Sequence, residues 1–415
     1  MGSKKRVVVT GVGLVTPCGT GVEKTWNNVV NGVSGIGKIT KFDATDFDTR
    51  IAGEVRDFNP LEFLDKKELK KFDEFIQYSI AATSEALKMA EFNHEKINSS
   101  DVGVCIGVGL GGLGIIEKQA LLIDKRGPKR ISPFFIPKVI GNMAPGAVAI
   151  KWGFKGPNFT VTSACASGTH SIGEAYRLIG RGDAKVMVAG GAESVITKLA
   201  VGGFNAMKAI STRNNEPEKA SRPFDKDRDG FVISEGAGII ILEDLEFALK
   251  RNAPILSEII GYGTSGDAYH IAAPAPDGTG MYAAMKMAVE NSNISTDEVE
   301  YINAHGTSTL LNDKYETLAI KRLFGENAYN IPVSSVKSVM GHMLGAAGGM
   351  EAAITVLTID RGIIAPTINY EKCDPDCDLD YVPNEMRKKD VKIAMTNSFG
   401  FGGANASLVF RKYEK

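Results

Sequence analysis

The sequence predicts an α/β fold, and three observations support this class. Short apolar strands alternate along the chain with helical segments. The strands are apolar on both faces, which is typical of sheets covered by helices on both sides. Two predicted helices, residues 168–179 and 344–359, are rich in small residues. Such helices suit burial between two sheets, so the sequence favours a layered arrangement.

Runs of apolar residues predict the strands. In chain order they cover residues 6–10, 102–108, 185–189, 238–242, 301–304, 331–336 and 392–396. The first strand is expected to stop at the glycines of residues 11–13. A long amphipathic helix is predicted by apolar residues at helical spacing, namely Phe72, Ile76, Ile80 and Leu87.

No Pro/Ser-rich linker divides the chain, and residues 251–254 are the best candidate for a joint. This division predicts an N-terminal half over residues 1–253 and a C-terminal half over residues 254–415. An active site between the halves is then expected, because ligand sites favour domain interfaces. No repeat with a period of 20–50 residues is evident.

Composition excludes several classes of function. The 415 residues are 43% hydrophobic and 23% charged, as in ordinary soluble proteins. Lys+Arg is 48 and Asp+Glu is 49, so the net charge of −1 gives no support to nucleic-acid binding. No stretch of 18 apolar residues predicts a membrane helix.

The termini and cysteines predict the compartment. Residues 1–6 lack the apolar region of a secretory signal, and Arg6 stands where myristoylation needs Ser or Thr. The five cysteines are sparse and odd in number, which indicates reduced thiols inside a cell. We expect a cytoplasmic protein, or one of the plastid stroma if a transit peptide has been removed.

One cysteine and two histidines lie in glycine-rich settings and carry the strongest functional signal. Cys165 falls between a strand-like segment, residues 159–162, and a helix from about Gly168. A helix N-terminus favours the thiolate, and its free N–H groups can hold a developing oxyanion. His305 follows a predicted strand, and His342 lies in a loop before a helix. A thiol with two imidazoles suits acyl transfer through a thioester.

Each of these residues also has a plainer interpretation. Cys165 could be a small buried hydrophobe, and either histidine could be a hydrogen-bonded core residue. A zinc site is disfavoured because the two histidines lack a clear third ligand. The remaining close cysteine pair, Cys373 and Cys377, is interpreted as a Pro-bearing turn.

Three further motif matches are interpreted as structural turns. Residues 109–114 fit G-x-G-x-x-G but lack the acidic residue a dinucleotide site needs about 20 positions on. Residues 11–17 fail because Pro17 interrupts the helix that should follow. Residues 225–230 resemble a calcium loop, but Gly236 stands where the glutamate belongs.

Two basic clusters are candidates for docking an acidic partner. The first comprises Lys66, Lys67, Lys70 and Lys71, which are expected to open the long amphipathic helix. The second comprises Lys125, Arg126, Lys129 and Arg130. The alternative for any such run is a solvated face. In a neutral protein, separated basic clusters can also steer an acidic protein to its site. The residues we assign to docking are Lys67, Lys71, Lys129 and Arg130.

Taken together, these motifs resemble the dissociated β-ketoacyl-acyl-carrier-protein synthases, closest to type II of bacterial and plastid fatty-acid synthesis. The resemblance covers essentially the whole chain. It is carried by Thr162-Ser163-Ala164-Cys165-Ala166-Ser167-Gly168, His305-Gly306-Thr307, Lys337-Ser338-Val339-Met340-Gly341-His342 and Asn397-Ser398-Phe399-Gly400-Phe401-Gly402-Gly403-Ala404-Asn405.

The resemblance implies a thiolase fold, with two similar α/β halves in five layers, αβαβα, and a homodimer. It implies that Cys165 takes the acyl chain from acyl carrier protein as a thioester. His305 and His342 would bind the malonyl carbonyl and stabilise the enolate after decarboxylation. Lys337 would hold the electrostatics of the histidine pair, with Glu351 as a nearby acid. No metal or organic cofactor is implied.

The resemblance also assigns the surrounding groups. The backbone N–H groups of Cys165 and Phe401 would form the oxyanion hole, and Phe401 would gate the nucleophile. Thr307 and Thr309 would contact the pantetheine arm, and Leu110 and Phe204 would line the acyl tunnel. Gly400 is expected beside the substrate.

Related functions differ at single positions. A thiolase would need a second cysteine in the C-terminal glycine-rich loop, where this chain has Phe401. An initiating synthase acting on acyl-CoA would have Asn in place of His342. A non-catalytic chain-length factor lacks the nucleophile, and Cys165 is present. A dissociated polyketide ketosynthase remains an alternative.

Overall fold

The computed structural model describes residues 5–414 and has one large mixed sheet at its centre. Residues 1–4, which belong to the N-terminal segment considered above, lie outside the described residues. The strands of the first half are β1 (Val7–Thr16), β2 (Gly19–Thr20), β3 (Gly37–Lys38), β4 (Ile51–Ala52), β5 (Val102–Gly107), β6 (Asn158–Phe159), β7 (Val186–Glu193) and β8 (Gly236–Asp244). Those of the second half are β9 (Ser257–Gly266), β10 (Tyr301–Asn303), β11 (Val333–Ser334), β12 (Ile363–Ile364), β13 (Arg387–Lys388), β14 (Ile393–Gly400) and β15 (Ala404–Arg411).

The helices alternate with these strands. They are α1 (Val22–Val30), α2 (Lys66–Leu69), α3 (Glu74–Met89), α4 (Leu113–Arg126), α5 (Phe135–Val139), α6 (Met143–Trp152), α7 (Ser167–Arg181), α8 (Lys198–Ala206), α9 (Leu245–Lys250), α10 (Thr279–Ser292), α11 (Leu310–Phe324), α12 (Lys337–Met340) and α13 (Ala347–Arg361). None of the helices within residues 5–414 is both long and apolar enough to cross a bilayer.

The large sheet runs in the order β11-β10-β14-β15-β9-β1-β8-β7-β5-β6, and β2 pairs with β1. Its two ends therefore come from different halves of the chain. They join at β1 and β9, where Val7, Val8 and Val9 pair antiparallel with Ile259, Glu258 and Ser257. The candidate joint at residues 251–254 lies between α9 and β9. The division into residues 1–253 and 254–415 stays a prediction.

The helices form three layers around the sheet strands. α3 and α6 pack on the strands of the first half, and α10 packs on β9 and β15. α7 and α13 contact each other and contact strands of both halves, so they form the central layer. This arrangement is the five-layer α/β architecture that the sequence analysis predicted.

The first strand is longer than predicted. β1 continues through Gly11 and Gly13 to Thr16, because these glycines lie against the backbone of α3. A Cβ on Gly11 would lie 2.2 Å from the carbonyl oxygen of Ala86, and one on Gly13 would lie 1.9 Å from that of Ala82. The glycines therefore allow a helix to approach the strand and do not end it. β9 and β15 were not predicted at all.

The first basic cluster was expected to open the long amphipathic helix, but it lies before that helix. Lys66 begins the separate one-turn helix α2, which Asp65 caps by accepting hydrogen bonds from the N–H groups of Lys67 and Glu68. The long helix α3 begins only at Glu74. The capping box at Asp65 therefore begins a separate short helix, before the amphipathic pattern becomes regular from Glu74.

The central helices approach the sheet through glycine. A Cβ on Gly349 of α13 would lie 2.3 Å from the carbonyl oxygen of Gly238 and 2.4 Å from the nitrogen of Gly191. A Cβ on Gly168 of α7 would lie 2.6 Å from the nitrogen of Gly349. All of these neighbours are backbone atoms, which cannot move aside as a flexible side chain would.

We expect Gly349→Ala to lower the free energy of unfolding by about 2–3 kcal/mol, because overpacking against backbone forces the layers apart. Guanidinium unfolding followed by circular dichroism measures the effect. Gly203→Ala on α8 is the control, since a Cβ there meets nothing within 4 Å. Equal stability of the two variants would contradict the proposed close packing.

Candidate active site

Cys165 lies in a strained turn between β6 and α7. Ala164, immediately before it, has φ of 50°, an uncommon conformation for a residue with a side chain. The hydroxyl of Ser167 donates to the carbonyl oxygen of Ala164 at 2.7 Å and accepts from the N–H of Ser163 at 2.9 Å. These bonds fix the turn that presents the thiol. Strain of this kind concentrates at functional sites.

The thiol of Cys165 is less acidic than the sequence analysis expected. Burial raises the pKa of Cys165 to about 11. The charge of Lys337 and the backbone N–H groups of Phe401 and Cys165 act in the opposite direction. Burial therefore outweighs the thiolate-stabilising groups in the free protein. Both N–H groups thus act on the sulfur of Cys165, and their role as an oxyanion hole stays a prediction.

The structure brings His305 and His342 to the thiol. One ring nitrogen of each histidine and Sγ of Cys165 all lie within 4.8 Å of one another. The two rings are 5.3 Å apart between centroids and nearly perpendicular, at 84°. Burial and the nearby charge of Lys337 hold the pKa of each histidine well below its usual range. Both imidazoles are therefore neutral at physiological pH, and each carries one N–H donor.

The two histidines differ in their support. Lys337 Nζ lies 3.3 Å from Nδ1 of His305 and donates to the carbonyl oxygen of the same residue at 2.5 Å. A donor at Nδ1 leaves the ring proton on Nε2. Neither ring nitrogen of His342 has a hydrogen-bond partner within residues 5–414. An unpartnered buried imidazole is free to donate to a substrate oxygen.

Lys337 and Glu351 form a fully buried ion pair next to the histidines. Burial raises the pKa of Glu351 to about 7, and the charge of Lys337 opposes this rise. The ammonium of Lys337, held in place by Glu351, lies beside the imidazoles and disfavours their protonation. Removing one member of a buried ion pair destabilises a protein by several kcal/mol, because the other charge stays buried without a partner. Lys337 and Glu351 are therefore both needed for a stable site.

The C-terminal glycine-rich turn closes over the nucleophile. Phe401 begins a short 3₁₀ turn after β14 and is 36% exposed, and Gly402 there has φ of 80°. A Cβ on Gly400 would lie 2.8 Å from the carbonyl oxygen of Ser163. Gly400 is therefore required for the turn to reach the segment that carries Cys165.

The reactive groups line a cavity of about 580 Å³. The predicted substrate contacts also line it, namely Leu110, Phe204, Thr307, Thr309, Gly400 and Phe401. The hydroxyls of Thr307 and Thr309 are 2.9 Å apart. On another part of the wall, Phe204 packs on Phe231 with ring centroids 5.2 Å apart. The cavity thus combines a polar threonine pair with an apolar wall.

The sequence analysis missed two aromatic residues of this wall. Phe231 packs edge-on against His342, with centroids 5.3 Å apart, and Phe399 packs edge-on against His305 at 5.8 Å. Each ring covers one imidazole and excludes water from it. Phe399 stands two residues before Phe401 in the quoted motif, but nothing in the local sequence of Phe231 marks it.

Two buried acids on α11 were also missed. Glu316 accepts hydrogen bonds from the N–H groups of His305 and Gly306, each at 2.8 Å. Asp313, one turn earlier, accepts from the N–H of Thr307 at 3.0 Å. Acids three residues apart on the helix that follows the His305 loop share one face, and that spacing could have identified them.

The two histidines do have a third potential zinc ligand beside them, contrary to the expectation from the sequence. Cys165 supplies the third ligand that the two histidines appeared to lack, and all three groups are buried. The ammonium of Lys337 at 3.3 Å from His305 opposes a second cation there. The absence of a metal stays a prediction.

Residues of the calcium-like loop and of the close cysteine pair make hydrogen bonds within the protein. Asp225 of the calcium-like loop accepts hydrogen bonds from the N–H groups of Glu371 and Lys372, each at 2.7 Å. The N–H of Cys377 donates to the carbonyl oxygen of Asp374 at 2.8 Å, which makes the expected turn.

The four predicted docking residues are all exposed. Lys67 lies on α2 and Lys71 just after it, whereas Lys129 and Arg130 lie in a 3₁₀ turn that follows α4. Burial raises the pKa of Asp73 to about 6, and the charges of Lys118 on α4 and Lys138 on α5 oppose this rise. Basic side chains of α4 and α5 thus act electrostatically on Asp73, which follows Lys71 by two residues.

Comparisons with known proteins agree with this geometry. The family model "Beta-ketoacyl synthase, N-terminal domain" matches residues 4–248, and "Beta-ketoacyl synthase, C-terminal domain" matches residues 256–371. The chain is 51% identical over 411 residues to 3-oxoacyl-(acyl-carrier-protein) synthase 2 of Synechocystis sp., with 99% of each chain covered. It is 49% identical over 414 residues to the enzyme of that name from Staphylococcus aureus, with 100% of each covered.

Solved structures show the same fold. A beta-ketoacyl synthase from Burkholderia phymatum matches with a TM-score of 0.92 and 35% identity, covering 99% of this chain and 100% of that one. A type II polyketide ketosynthase, solved with its acyl-carrier protein and a hexaketide, matches with a TM-score of 0.93 and 36% identity over the same shares. The predicted thiolase fold is confirmed, and the chain belongs to the beta-ketoacyl synthase family.

Proposed function

We propose that this protein is a 3-oxoacyl-(acyl-carrier-protein) synthase that elongates fatty acids by two carbons. It joins malonyl-ACP to an acyl chain held on Cys165, with loss of CO₂. The observation that carries the proposal is the grouping of Cys165 Sγ with His305 and His342 within 4.8 Å in a cavity. Full-length relatives at about 50% identity bear the corresponding name.

In the first half-reaction the sulfur of Cys165 attacks the thioester carbonyl of acyl-ACP. The carrier's thiol leaves with a proton, and the acyl group remains on the enzyme as a thioester. The N–H groups of Cys165 and Phe401 stabilise the oxyanion of the tetrahedral intermediate. Because the resting thiol is protonated, the proton must move away as the bond forms. The neutral imidazole of His342, whose ring nitrogens are both unpartnered within residues 5–414, is placed to accept it and to pass it to the carrier's sulfur.

In the second half-reaction malonyl-ACP loses CO₂ and leaves an enolate. His305 and His342 donate hydrogen bonds to the enolate oxygen, which requires neutral imidazoles with the proton facing the substrate. The enolate carbon then attacks the carbonyl of the Cys165 thioester, and the sulfur of Cys165 leaves as a thiolate, which takes up a proton from solvent. Lys337 and Glu351 are positioning residues, since they act on His305 through the contacts described above.

Residues of the cavity wall are proposed to bind the pantetheine arm and the acyl chain of the substrates. The hydroxyls of Thr307 and Thr309 bind the polar pantetheine arm, and Leu110 and Phe204 line the tunnel for the acyl chain. Phe401 gates the nucleophile from its turn, next to Gly400.

A condensation assay with acyl-ACPs of graded chain length plus malonyl-ACP tests the proposal. Mass spectrometry should show 3-oxoacyl-ACP products longer by two carbons, together with CO₂. Repeated addition of malonyl units without reduction of the keto group would instead favour the alternative, a dissociated polyketide ketosynthase. The lower identity to the polyketide ketosynthase, 36% against 51% for the fatty-acid relative, favours the fatty-acid function.

We propose that the protein acts as a homodimer. Side chains on and beside α4 and α5 are apolar and exposed, namely Ile116, Leu121, Ile123, Phe134, Ile136 and Ile140. A contiguous apolar surface usually marks an interface. β6, at one edge of the large sheet, offers unpaired backbone groups to a second copy. Analytical ultracentrifugation should give twice the mass of the 44.4 kDa chain.

The proposed compartment is the cytoplasm, or the plastid stroma after removal of a transit peptide. Its support is that all five cysteines, which lie within the described residues, are unpaired. Unpaired thiols are typical of reducing compartments.

The proposed partner is acyl carrier protein, docked by the exposed residues Lys67, Lys71, Lys129 and Arg130. A ketosynthase of the same fold has been solved with its carrier protein. We expect the double charge reversal Lys67→Glu/Lys71→Glu to raise KM for acyl-ACP about tenfold, because exposed charges mainly steer association. Turnover on short pantetheine thioesters should stay nearly unchanged. Steady-state kinetics on both substrates make the measurement.

The matched control is Lys88→Glu/Lys96→Glu, which changes the same charge at exposed lysines outside both clusters. KM of the wild type should also rise with salt, since charges are screened over about 10 Å at 0.1 M. Equal KM values for the two double variants would show that Lys67 and Lys71 belong only to a solvated surface.

A further inference from the structure

A buried carboxylate lies behind the cavity and takes no part in the reaction as described. Glu193 ends β7 and is fully buried. It accepts hydrogen bonds from the N–H groups of Gly109 at 2.8 Å, Leu110 at 3.2 Å and Gly111 at 3.0 Å. It accepts a fourth from the N–H of Gly345, at 3.2 Å. The glycine-rich segment that matched a dinucleotide fingerprint thus surrounds an anion, and that anion is the protein's own side chain.

These four bonds join two separate walls of the cavity. Leu110, whose N–H is bonded, lines the cavity. Gly345 follows Leu344, which lines it too, and lies three residues after His342. Glu193 is therefore the link between a side chain assigned to the acyl tunnel and the turn that carries a reactive histidine.

The glycines at this link are required by the close approach. A Cβ on Gly109 would lie 2.5 Å from a carboxylate oxygen of Glu193, and one on Gly345 would lie 2.2 Å from the nitrogen of Gly109. Both loops thus meet directly at the carboxylate. A water molecule or a neutral amide in place of the carboxylate could not satisfy the same four donors, because an amide has one acceptor oxygen and adds donors of its own.

The carboxylate state of Glu193 matters for this contact. Burial raises the pKa of Glu193 to about 7, and the four backbone N–H groups oppose that rise. Hydrogen bonds from backbone N–H groups are stronger to an ionised carboxylate than to a neutral acceptor.

We propose that Glu193 is a positioning residue that holds the Leu110 loop and the His342 turn in a fixed relation, so that acyl-chain acceptance and malonyl decarboxylation depend on one carboxylate. The inference rests on the proposed function, in particular on Leu110 as a wall of the acyl tunnel. Misplacement of a reacting group by about 1 Å can lower a rate by about 100-fold. A contact behind both walls therefore affects both half-reactions without touching a substrate.

The test compares Glu193→Gln with the control Glu85→Gln. Glu85 also accepts hydrogen bonds from two backbone N–H groups, those of Leu14 and Val22, and lies outside the cavity wall. Acyl transfer to Cys165 is followed by intact mass for short and long acyl-ACPs, and decarboxylation by CO₂ release from malonyl-ACP. Rates are divided by the folded fraction of each variant, which circular dichroism measures.

We expect Glu193→Gln to slow transfer of long acyl chains about 10- to 100-fold, transfer of an acetyl group less than about threefold, and decarboxylation about tenfold. Glu193→Asp, which keeps the charge but shortens the side chain, should recover part of each rate. If Glu193→Gln does not fold, Glu193→Asp carries the same comparison with smaller effects. Equal losses at every chain length, or decarboxylation equal to that of Glu85→Gln, would overturn the inference. Failure of the wild type in both half-reactions would instead overturn the proposed function.

Discussion

Cys165→Ala should abolish both formation of the acyl-enzyme and condensation. Alanine has no nucleophile, and no other cysteine of residues 5–414 lines the cavity. Intact-mass measurement after incubation with acyl-ACP should show one acyl group on the wild type and none on the variant. The fold should persist, because the change removes one small buried atom.

The matched control is Cys105→Ala, which removes a second buried thiol, on β5 and away from the cavity. It should acylate as the wild type does. The family resemblance adds a further expectation, that Cys165→Ala still decarboxylates malonyl-ACP. An acyl adduct on Cys165→Ala would remove this residue from the mechanism.

His305→Ala and His342→Ala should each lower the rate of decarboxylation by about 10²–10³, the usual cost of losing one donor to an oxyanion. Acyl loading should fall less, because the N–H groups of Cys165 and Phe401 still stabilise its oxyanion. Separate assays of acyl loading and CO₂ release distinguish the two steps. His94→Ala, at an exposed surface position, is the control.

The pH profile gives an independent check on the state of the histidines. Their pKa values lie well below the usual 6.5, so neither imidazole changes charge as the pH rises from about 6.5 to 8. Decarboxylation by the wild type should therefore carry no histidine titration in that window. A steep rise across it that disappears in one histidine variant would show that this histidine starts out protonated.

Local patterns were enough to predict the α/β class and several of its elements, whereas the five-layer arrangement came from the family resemblance. The strand near Val102 and the helix after Gly168 were predicted from apolar and small-residue patterns. The glycines of β1 misled the prediction, because a glycine that ends a strand and one that admits a packed helix look the same in sequence. Only the contact with α3 distinguishes them.

The reacting groups were also predictable, since Cys165, His305 and His342 stand in distinctive motifs. Their supports were harder to predict. Phe231 and Glu193 reach the site only because segments that are distant in the sequence pack side by side. The prediction of an acidic Cys165 thiol was wrong for a similar reason. The helix N-terminus is visible in sequence, but the burial that opposes it is a property of the assembled layers.

The junction of β1 with β9 and the glycine contact between α7 and α13 bear on whether this protein can be divided. Two family models match the N-terminal and C-terminal segments of the chain. Neither segment alone would bury all of its apolar core. A fragment ending near Pro254 would expose the face of α7 that α13 covers, and would leave Val7, Val8 and Val9 without the strand they pair with. We therefore expect the two segments to fold only when both are present. They could be supplied as two complementing fragments or as one circularly permuted chain.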